Sequence, residues 1–385
     1  MRFSPPGRPE SCEAVLGAEA RALEARAALA GIAPGSWPRS EVRIWFASAG
    51  LAPEELDALE RSREMRIDSR GDLQLLTGPA EGLTDLARTL PGAQRLLAAW
   101  ENATRPPSST RVMGVVNATP DSFSDGGRYL DPDRAIEHGL KLIEAGADIV
   151  DVGGESTRPG ATPVSATVER ERVVPVIRAL AADGRAAVSV DTSKAEVAAS
   201  ALDAGATVVN DVRAGTTDAR LLPLVAERGA ALVLMHMQGT PADMQRDPSY
   251  RDATREVCGF LRERAAVAWQ AGIDPSRIAL DPGLGFGKRL EHNLELLRAL
   301  PELRSLGFPL VVGLSRKSFL GALSGERRAG HREHETSAAL ALAAHLGAEW
   351  HRVHDAGPAR AALAVAGGLA RGAGAQRDDR EEQGS

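Results

Sequence analysis

The chain is short of lysine and cysteine and of any long apolar run. Its two cysteines, Cys12 and Cys258, lie far apart and show no metal-ligand spacing. No apolar run approaches the roughly 18 residues of a membrane span, and the N-terminal MRFSPPGRPE lacks the apolar stretch that a secretory signal requires. These absences point to a soluble, cytoplasmic protein. The formal net charge is −6 and no basic stripe is present, so nucleic acid is not an expected partner. The scarcity of lysine is itself informative. Only Lys141, Lys194, Lys288 and Lys317 occur among 385 residues, and every other fixed cation is arginine. In such a chain a retained lysine is expected to mark a compact point charge that a guanidinium fork cannot replace.

What is present is organised around Met113 to Gly127, MGVVNATPDSFSDGG. Arg111 to Val116 is an apolar run of the length of a buried strand, and it ends abruptly in a polar, turn-rich loop. Apolar strand-like runs follow at intervals, at 111–116, 147–152, 186–190, 207–212, 231–236, 277–281, 309–314 and 349–354. Helical stretches lie between and after them: Asp131–Ala145, Ala166–Ala182, Lys194–Ala204, Ala219–Arg228, Tyr250–Ala271, Leu290–Leu306, Glu333–Leu346 and Pro358–Leu369. Eight βα units in about 260 residues predict an α/β fold, a (β/α)8 TIM barrel. An open doubly wound sheet would need a G-x-G-x-x-G turn after its first strand, and none is there.

The barrel is expected over 109–369, preceded by a small α+β extension over 1–108 and followed by a disordered polar tail over 370–385. In the extension the pattern predicts helices over Cys12–Leu29, Pro53–Arg63 and Leu83–Glu101 and a hairpin over Met65–Leu76 turning at Arg70-Gly71-Asp72. Arg105–Ser109 reads as a linker. The extension carries no ligand set or glycine-rich loop, so an accessory packing role is expected.

In parallel α/β folds chemistry collects at the carboxyl ends of the strands, and here those ends are polar throughout. They read Asn117-Ala-Thr-Pro-Asp121, Asp151-Val-Gly-Gly-Glu155-Ser-Thr157-Arg158, Asp191-Thr-Ser-Lys194, Asn210-Asp211, Met235-His236-Met-Gln-Gly, Asp281-Pro-Gly-Leu-Gly-Phe286-Gly-Lys288, Ser315-Arg316-Lys317-Ser318 and Arg352-Val-His354-Asp355. A single strand-terminal Asp is most often a helix N-cap, but eight polar ends are not eight caps. Asp151, Asp191, Asn210 and Asp281 offer acceptors suited to a flat heterocycle edged with N–H groups, because a carboxylate accepts two parallel donors. Arg158, Arg316, Lys317, Arg352 and His354 offer positive charge suited to phosphate. Asn117, with Asp121 near it, suits a hard cation such as Mg²⁺, which takes oxygen ligands and bridges to substrate phosphates.

Over residues 111–369 the motifs NATPDSFSDGG, DVGGESTRPG, DTSK, ND, LMHMQG, DPGLGFGK, SRKS and RVHD together resemble the dihydropteroate synthase family, the folate-pathway transferases that sulfonamides inhibit. The resemblance implies condensation of (7,8-dihydropterin-6-yl)methyl diphosphate with p-aminobenzoate, by a homodimeric enzyme that uses Mg²⁺ held at Asn117. It implies catalytic roles for Lys317, Arg158, Asp191 and Asp281. Asp281 would pair with the pterin's aminopyrimidine edge, assisted by Asp191 and Asn210, Asp151 would also bind substrate, and Lys317 would meet the ring's carbonyl and N5 side. Met235 and Phe286 would line the pterin pocket, and Arg352 and His354 would clamp the diphosphate. Thr157 and Arg158 would stand near p-aminobenzoate, and Ser318 near its carboxylate, under loops at Asp121–Ser124 and Ser156–Pro159. A methyltetrahydrofolate-binding methyltransferase domain and a non-catalytic pterin-binding paralogue remain the alternatives.

Overall fold

The computed structural model describes residues 26–27, 41–47, 51–70, 73–104, 107, 109–119, 132–157 and 160–371. The extension contains β1 (Arg26–Ala27), β2 (Glu41–Ala47), α1 (Pro53–Arg61), β3 (Arg66–Arg70), β4 (Leu73–Pro79), α2 (Ala80–Ala87) and α3 (Pro91–Thr104). Its strands form an antiparallel sheet in the order β1-β2-β4-β3. Val42, Ile44 and Leu76 alternate onto one face and are buried with Leu59, Leu83, Leu96 and Trp100 in a core separate from that of the barrel.

The sequence pattern is corrected here in three places. The helix expected over Cys12–Leu29 lies outside the described residues except at Arg26–Ala27, and there the backbone pairs with Ile44 and Trp45 as a strand. Strand β2 was not expected at all, and its Val42/Ile44 alternation becomes visible only once β4 pairs along it. The single helix over 83–101 is two, because Pro91 lacks an N–H and disfavours helical backbone at Leu90. The hairpin is present, its turn residues 71–72 lying outside the described residues.

The barrel follows as β5 (Arg111–Asn117), α4 (Pro132–Glu144), β6 (Ile149–Gly153), α5 (Ala166–Asp183), β7 (Ala187–Asp191), α6 (Ala195–Asp203), β8 (Val208–Asp211) and α7 (Leu221–Glu227). It continues with β9 (Ala231–Met235), α8 (Ala253–Gln270), β10 (Ile278–Asp281), α9 (Leu290–Arg298), α10 (Leu300–Arg304), β11 (Val311–Gly313), α11 (Ser318–Ser324), α12 (Glu333–His345), β12 (Trp350–Val353) and α13 (Ala356–Arg371). All eight expected strands and their order are found. The helix expected over Leu290–Leu306 is divided at Ala299, just before Pro301. Helix α13 runs to Arg371, into the tail expected from 370; residues 372–385 lie outside the described residues.

The strands pair in parallel in the order β10-β9-β8-β7-β6-β5-β12-β11, and a bridge between Leu280 and Leu310 brings the two ends of the sheet together. Two apolar layers result from the two-residue alternation of strand side chains. Val112, Val150, Val188, Leu232 and Val312 face the helices. Met113, Ile149, Val208, Val233, Ala279, Val311 and Trp350 fill the interior. Helix α3 packs on α10 and leads into β5, whose Arg111 N–H donates to Glu349 O just before β12. The extension therefore joins the barrel at the amino ends of the strands, away from the carboxyl ends where the polar motifs lie.

Candidate active site

The alternation that fills the lower interior with apolar side chains places polar ones above it. Stepping two residues at a time from the interior cluster leads to Asn117 on β5, Asp151 on β6, Asp191 on β7, Asn210 on β8, Met235 on β9, Asp281 on β10 and Arg352 on β12. Seven residues drawn from seven strands thus share one mouth because they share one parity.

Four of them form a single network. Arg352 donates from Nε to Asp151 Oδ2 and from Nη2 to Asp191 Oδ2, each at 2.7 Å, and Asn210 Nδ2 donates to the same Asp151 oxygen at 2.9 Å. Two N–H donors of Arg352, one of the two residues expected to clamp diphosphate, are therefore committed to carboxylates. The reason is electrostatic, since two buried carboxylates require a cation at close range. Burial pushes Asp191 up to about 7, with Asp151 adding to the rise and Arg352 opposing it. The guanidinium of Arg352 is held above its ordinary value, because Asp151 and Asp191 outweigh the desolvation that would lower it. Asp151 Oδ1 is buried with no hydrogen-bond partner among the described residues, an acceptor left open at the mouth.

Opposite this network lies the loop after β10. Asp281 Oδ1 accepts the Gly283 N–H at 2.7 Å. Burial raises Asp281 to about 6, against the Gly283 hydrogen bond and the charges of Lys317 and Arg352. Gly283 has φ +66°, and a Cβ there would stand 1.9 Å from His236 O, so only glycine lets this loop lie against the end of β9. Lys317 enters from the next loop. Its Nζ sits 3.9 Å from the centroid of the Phe286 ring, a cation–π contact, and a Cβ on Gly285 would stand 2.9 Å from its Cδ. Burial lowers Lys317 to about 8, with Asp281 opposing.

The remaining expected residues are placed as follows. His354 is half-buried, and Ser315 Oγ fixes it by accepting its backbone N–H at 3.2 Å and meeting Nδ1 at 3.1 Å. Asn117 is half-buried at the end of β5, Thr157 is half-buried within the loop after β6, and Ser318 is exposed at the start of α11. Arg158, Asp121 and the loop around Asp121–Ser124 lie outside the described residues.

A family model described as pterin binding enzyme matches residues 113–354. The chain is 50% identical over 263 residues to a dihydropteroate synthase of Mycobacterium leprae (strain TN), covering 67% of this chain and 92% of that protein. Among solved structures it resembles a Xanthomonas albilineans dihydropteroate synthase with 4-aminobenzoic acid, at TM-score 0.63 and 48% identity, covering 67% of this chain and 92% of that one. The same organism's enzyme in complex with 7,8-dihydropteroate matches at TM-score 0.61 and 44% identity, with the same coverage. The chain belongs to the dihydropteroate synthase family.

It is thus a transferase of folate synthesis, and the methyltransferase alternative falls away. The matched family region begins at Met113, so the extension lies outside it. Within this synthase barrel Lys288 has a bracing role that neither its rarity nor its place at the end of the DPGLGFGK motif specifies. Lys288, 3% exposed, donates to Gly283 O and Phe286 O, each at 2.9 Å, and to His236 Nδ1 at 3.1 Å. An ammonium has three protons and no lone pair, so it braces the loop that carries Asp281 and Phe286 and requires His236 to accept. Burial lowers Lys288 to about 7; burial, then the Lys288 charge, lowers His236 to about 3. Lys194 pairs with both Glu155 and Glu169. Lys194, Lys288 and Lys317 each stand in a defined setting, whereas Lys141 pairs with Glu137 on an exposed helix face.

Proposed function

We propose that this barrel mouth condenses (7,8-dihydropterin-6-yl)methyl diphosphate with p-aminobenzoate, giving 7,8-dihydropteroate and diphosphate. The observation that carries the reading is the pairing at one mouth of a buried acceptor, Asp281, with a half-buried cation, Lys317, stacked on Phe286. Asp281 takes the ring N–H and exocyclic amine of the pterin, with Asp191 and Asn210 beside it, and the open Asp151 oxygen receives a further donor. Lys317 donates to the carbonyl and N5 side, and Met235 and Phe286 cover the ring.

His354 and the cationic side of Arg352 face the diphosphate, stabilising charge on the leaving group. Ser318 and Thr157, with Arg158, complete the aminobenzoate side. Asn117 supplies one amide oxygen. Among the described residues no group of three or more His, Cys, Asp or Glu is placed to hold a metal, which suits Mg²⁺ arriving with its phosphates and waters. Bound there, Mg²⁺ would neutralise charge on the diphosphate. No side-chain nucleophile is needed, because the electron-rich pterin stabilises the cationic methylene left when its C–O bond breaks and diphosphate leaves, and the amine then attacks that carbon and gives up a proton. Incubating the protein with pterin diphosphate, Mg²⁺ and labelled p-aminobenzoate should yield labelled dihydropteroate. Ligand binding without product would instead indicate a non-catalytic pterin-binding paralogue.

A pH dependence follows from Asp281. Only its carboxylate accepts two donors, so the proton must leave before the pterin binds. Affinity for a pterin lacking diphosphate should rise with pH through about 6, by about tenfold per pH unit below that value. Stability has the opposite sign. The folded pKa exceeds the unfolded one, so the folded state holds the proton more firmly, and the contribution present below about pH 4 is lost as pH rises through about 6. Calorimetric titrations at pH 5 and 7 test the first statement; a pH-independent affinity would remove Asp281 from the pterin edge.

We assign the extension an accessory role, since it joins the amino end of the barrel. A chain beginning at Ser108 should keep pterin binding while losing thermal stability, because α10 loses the cover of α3. Complete loss of binding by a folded truncation would overturn that assignment. We further propose a cytoplasmic homodimer. No helix among the described residues is long and apolar enough to cross a membrane, and α12 and α13, packed together, expose Leu342, Val365 and Leu369. Sedimentation equilibrium should return twice the chain mass.

A further inference from the structure

The loop that delivers Lys317 contains a backbone conformation that its sequence does not favour. Leu314 O accepts the Lys317 N–H at 3.3 Å, closing a four-residue turn. Its third residue, Arg316, has φ +61°. This is the position of a type II turn at which glycine is usual, because a side chain there is strained. Such a residue persists only where its surroundings over-determine it.

Here both backbone polar groups of Arg316 are taken by side chains of one helix end. Its N–H donates to Thr336 Oγ1 at 3.1 Å, and its carbonyl accepts from Arg332 Nη1 at 2.9 Å. Both residues are buried. Each is also tied down in turn. The Thr336 hydroxyl proton goes to Arg332 O at 2.6 Å, which leaves an oxygen lone pair for Arg316. Arg332 directs Nε to Glu326 O at 3.0 Å and Nη2 to Arg327 O at 2.6 Å. Gly321 makes room for this guanidinium, since a Cβ there would stand 2.4 Å from Arg332 Nε and 2.2 Å from Glu326 O.

We infer that Thr336 and Arg332 are positioning residues that hold Arg316 left-handed and thereby aim Lys317 at Phe286 and Asp281. Neither residue belongs to a motif that marks the site, and neither touches the mouth. They act through the direction in which the chain leaves Arg316, one residue before Lys317. Their consequence for catalysis rests on the synthase reading of the site.

Thr336→Val tests the inference. It keeps the shape and removes the oxygen, whereas Thr336→Ser retains the oxygen. Valine should lower kcat/KM about tenfold, since an unsatisfied N–H is left at a strained residue, and serine should stay within about twofold. In a Lys317→Ala background the valine substitution should add less than about twofold, because the lysine it positions is already absent. An equal tenfold loss in both backgrounds, in folded protein, would overturn the inference.

A second readout does not depend on the reaction. With only four lysines, ¹³C-lysine-labelled protein gives few enough side-chain signals to assign Lys317 by its loss in Lys317→Ala. In Thr336→Val that signal should titrate closer to the free-lysine value of about 10.4, and in Thr336→Ser it should match the parent. An unchanged Lys317 titration in folded Thr336→Val would refute the positioning role whether or not the protein makes dihydropteroate. Absence of turnover in the parent chain would count against the synthase reading alone.

Discussion

Asp281→Asn is expected to weaken binding of pterin diphosphate at least about tenfold while leaving inorganic diphosphate nearly unaffected. The structure sharpens the reason. Asp281 Oδ1 already accepts the Gly283 N–H, so in asparagine the one remaining oxygen keeps that bond and the NH₂ group turns to the ligand. A donor then faces the pterin's own N–H and amine. A hydrogen bond to a charged group contributes roughly 1.5–3 kcal/mol, and leaving a buried partner unsatisfied adds to the loss. Roughly 1.4 kcal/mol already corresponds to tenfold. Inorganic diphosphate meets Asn117, Arg352 and His354 in the proposed assignment and should notice little. Calorimetric titration of both ligands, with circular dichroism to establish folding, decides between roles. Equal losses for the two ligands would mean that Asp281 supports the mouth as a whole and does not read the pterin edge.

Lys317→Arg should be nearly as damaging as Lys317→Ala, each lowering kcat/KM by about tenfold or more, the scale of one charged hydrogen bond. Charge is not the deciding property. The lysine stem runs so close to the loop after β10 that a Cβ on Gly285 would stand 2.9 Å from its Cδ, and its ammonium lies over Phe286. A planar guanidinium extends further and needs an in-plane partner for its fork. It would either displace the ring or withdraw from it. Steady-state kinetics of the two variants make the comparison. Near-parent kcat/KM for the arginine variant would show that charge alone suffices and would end the argument from lysine scarcity.

The sequence by itself determined the barrel and the inventory of its mouth. Eight buried parallel strands each leave a continuous apolar run with an abrupt polar end, a local signal that no tertiary context can erase. Asp151, Asp191, Asn210, Asp281 and Arg352 could therefore be named before their contacts were known. The extension was less legible because its elements are short and half-exposed. Strand β2 shows its alternation only against β4, and Pro91 and Pro301 divide helices that an apolar count joins.

Only the tertiary structure decided which partner each site residue takes. Arg352 is joined to Asp151 and Asp191 across separations of 201 and 161 residues, and Lys288 to His236 across 52. Such pairings are fixed by strand parity and by barrel closure, which bring residues together without regard to their distance along the chain. Likewise Arg316 reads as one more cation in a basic motif. Its left-handed backbone is held, in the inference above, by Thr336 and Arg332 at the start of α12, which bond both of its peptide groups. A strained conformation is paid for by its surroundings, and surroundings are what a linear sequence does not display.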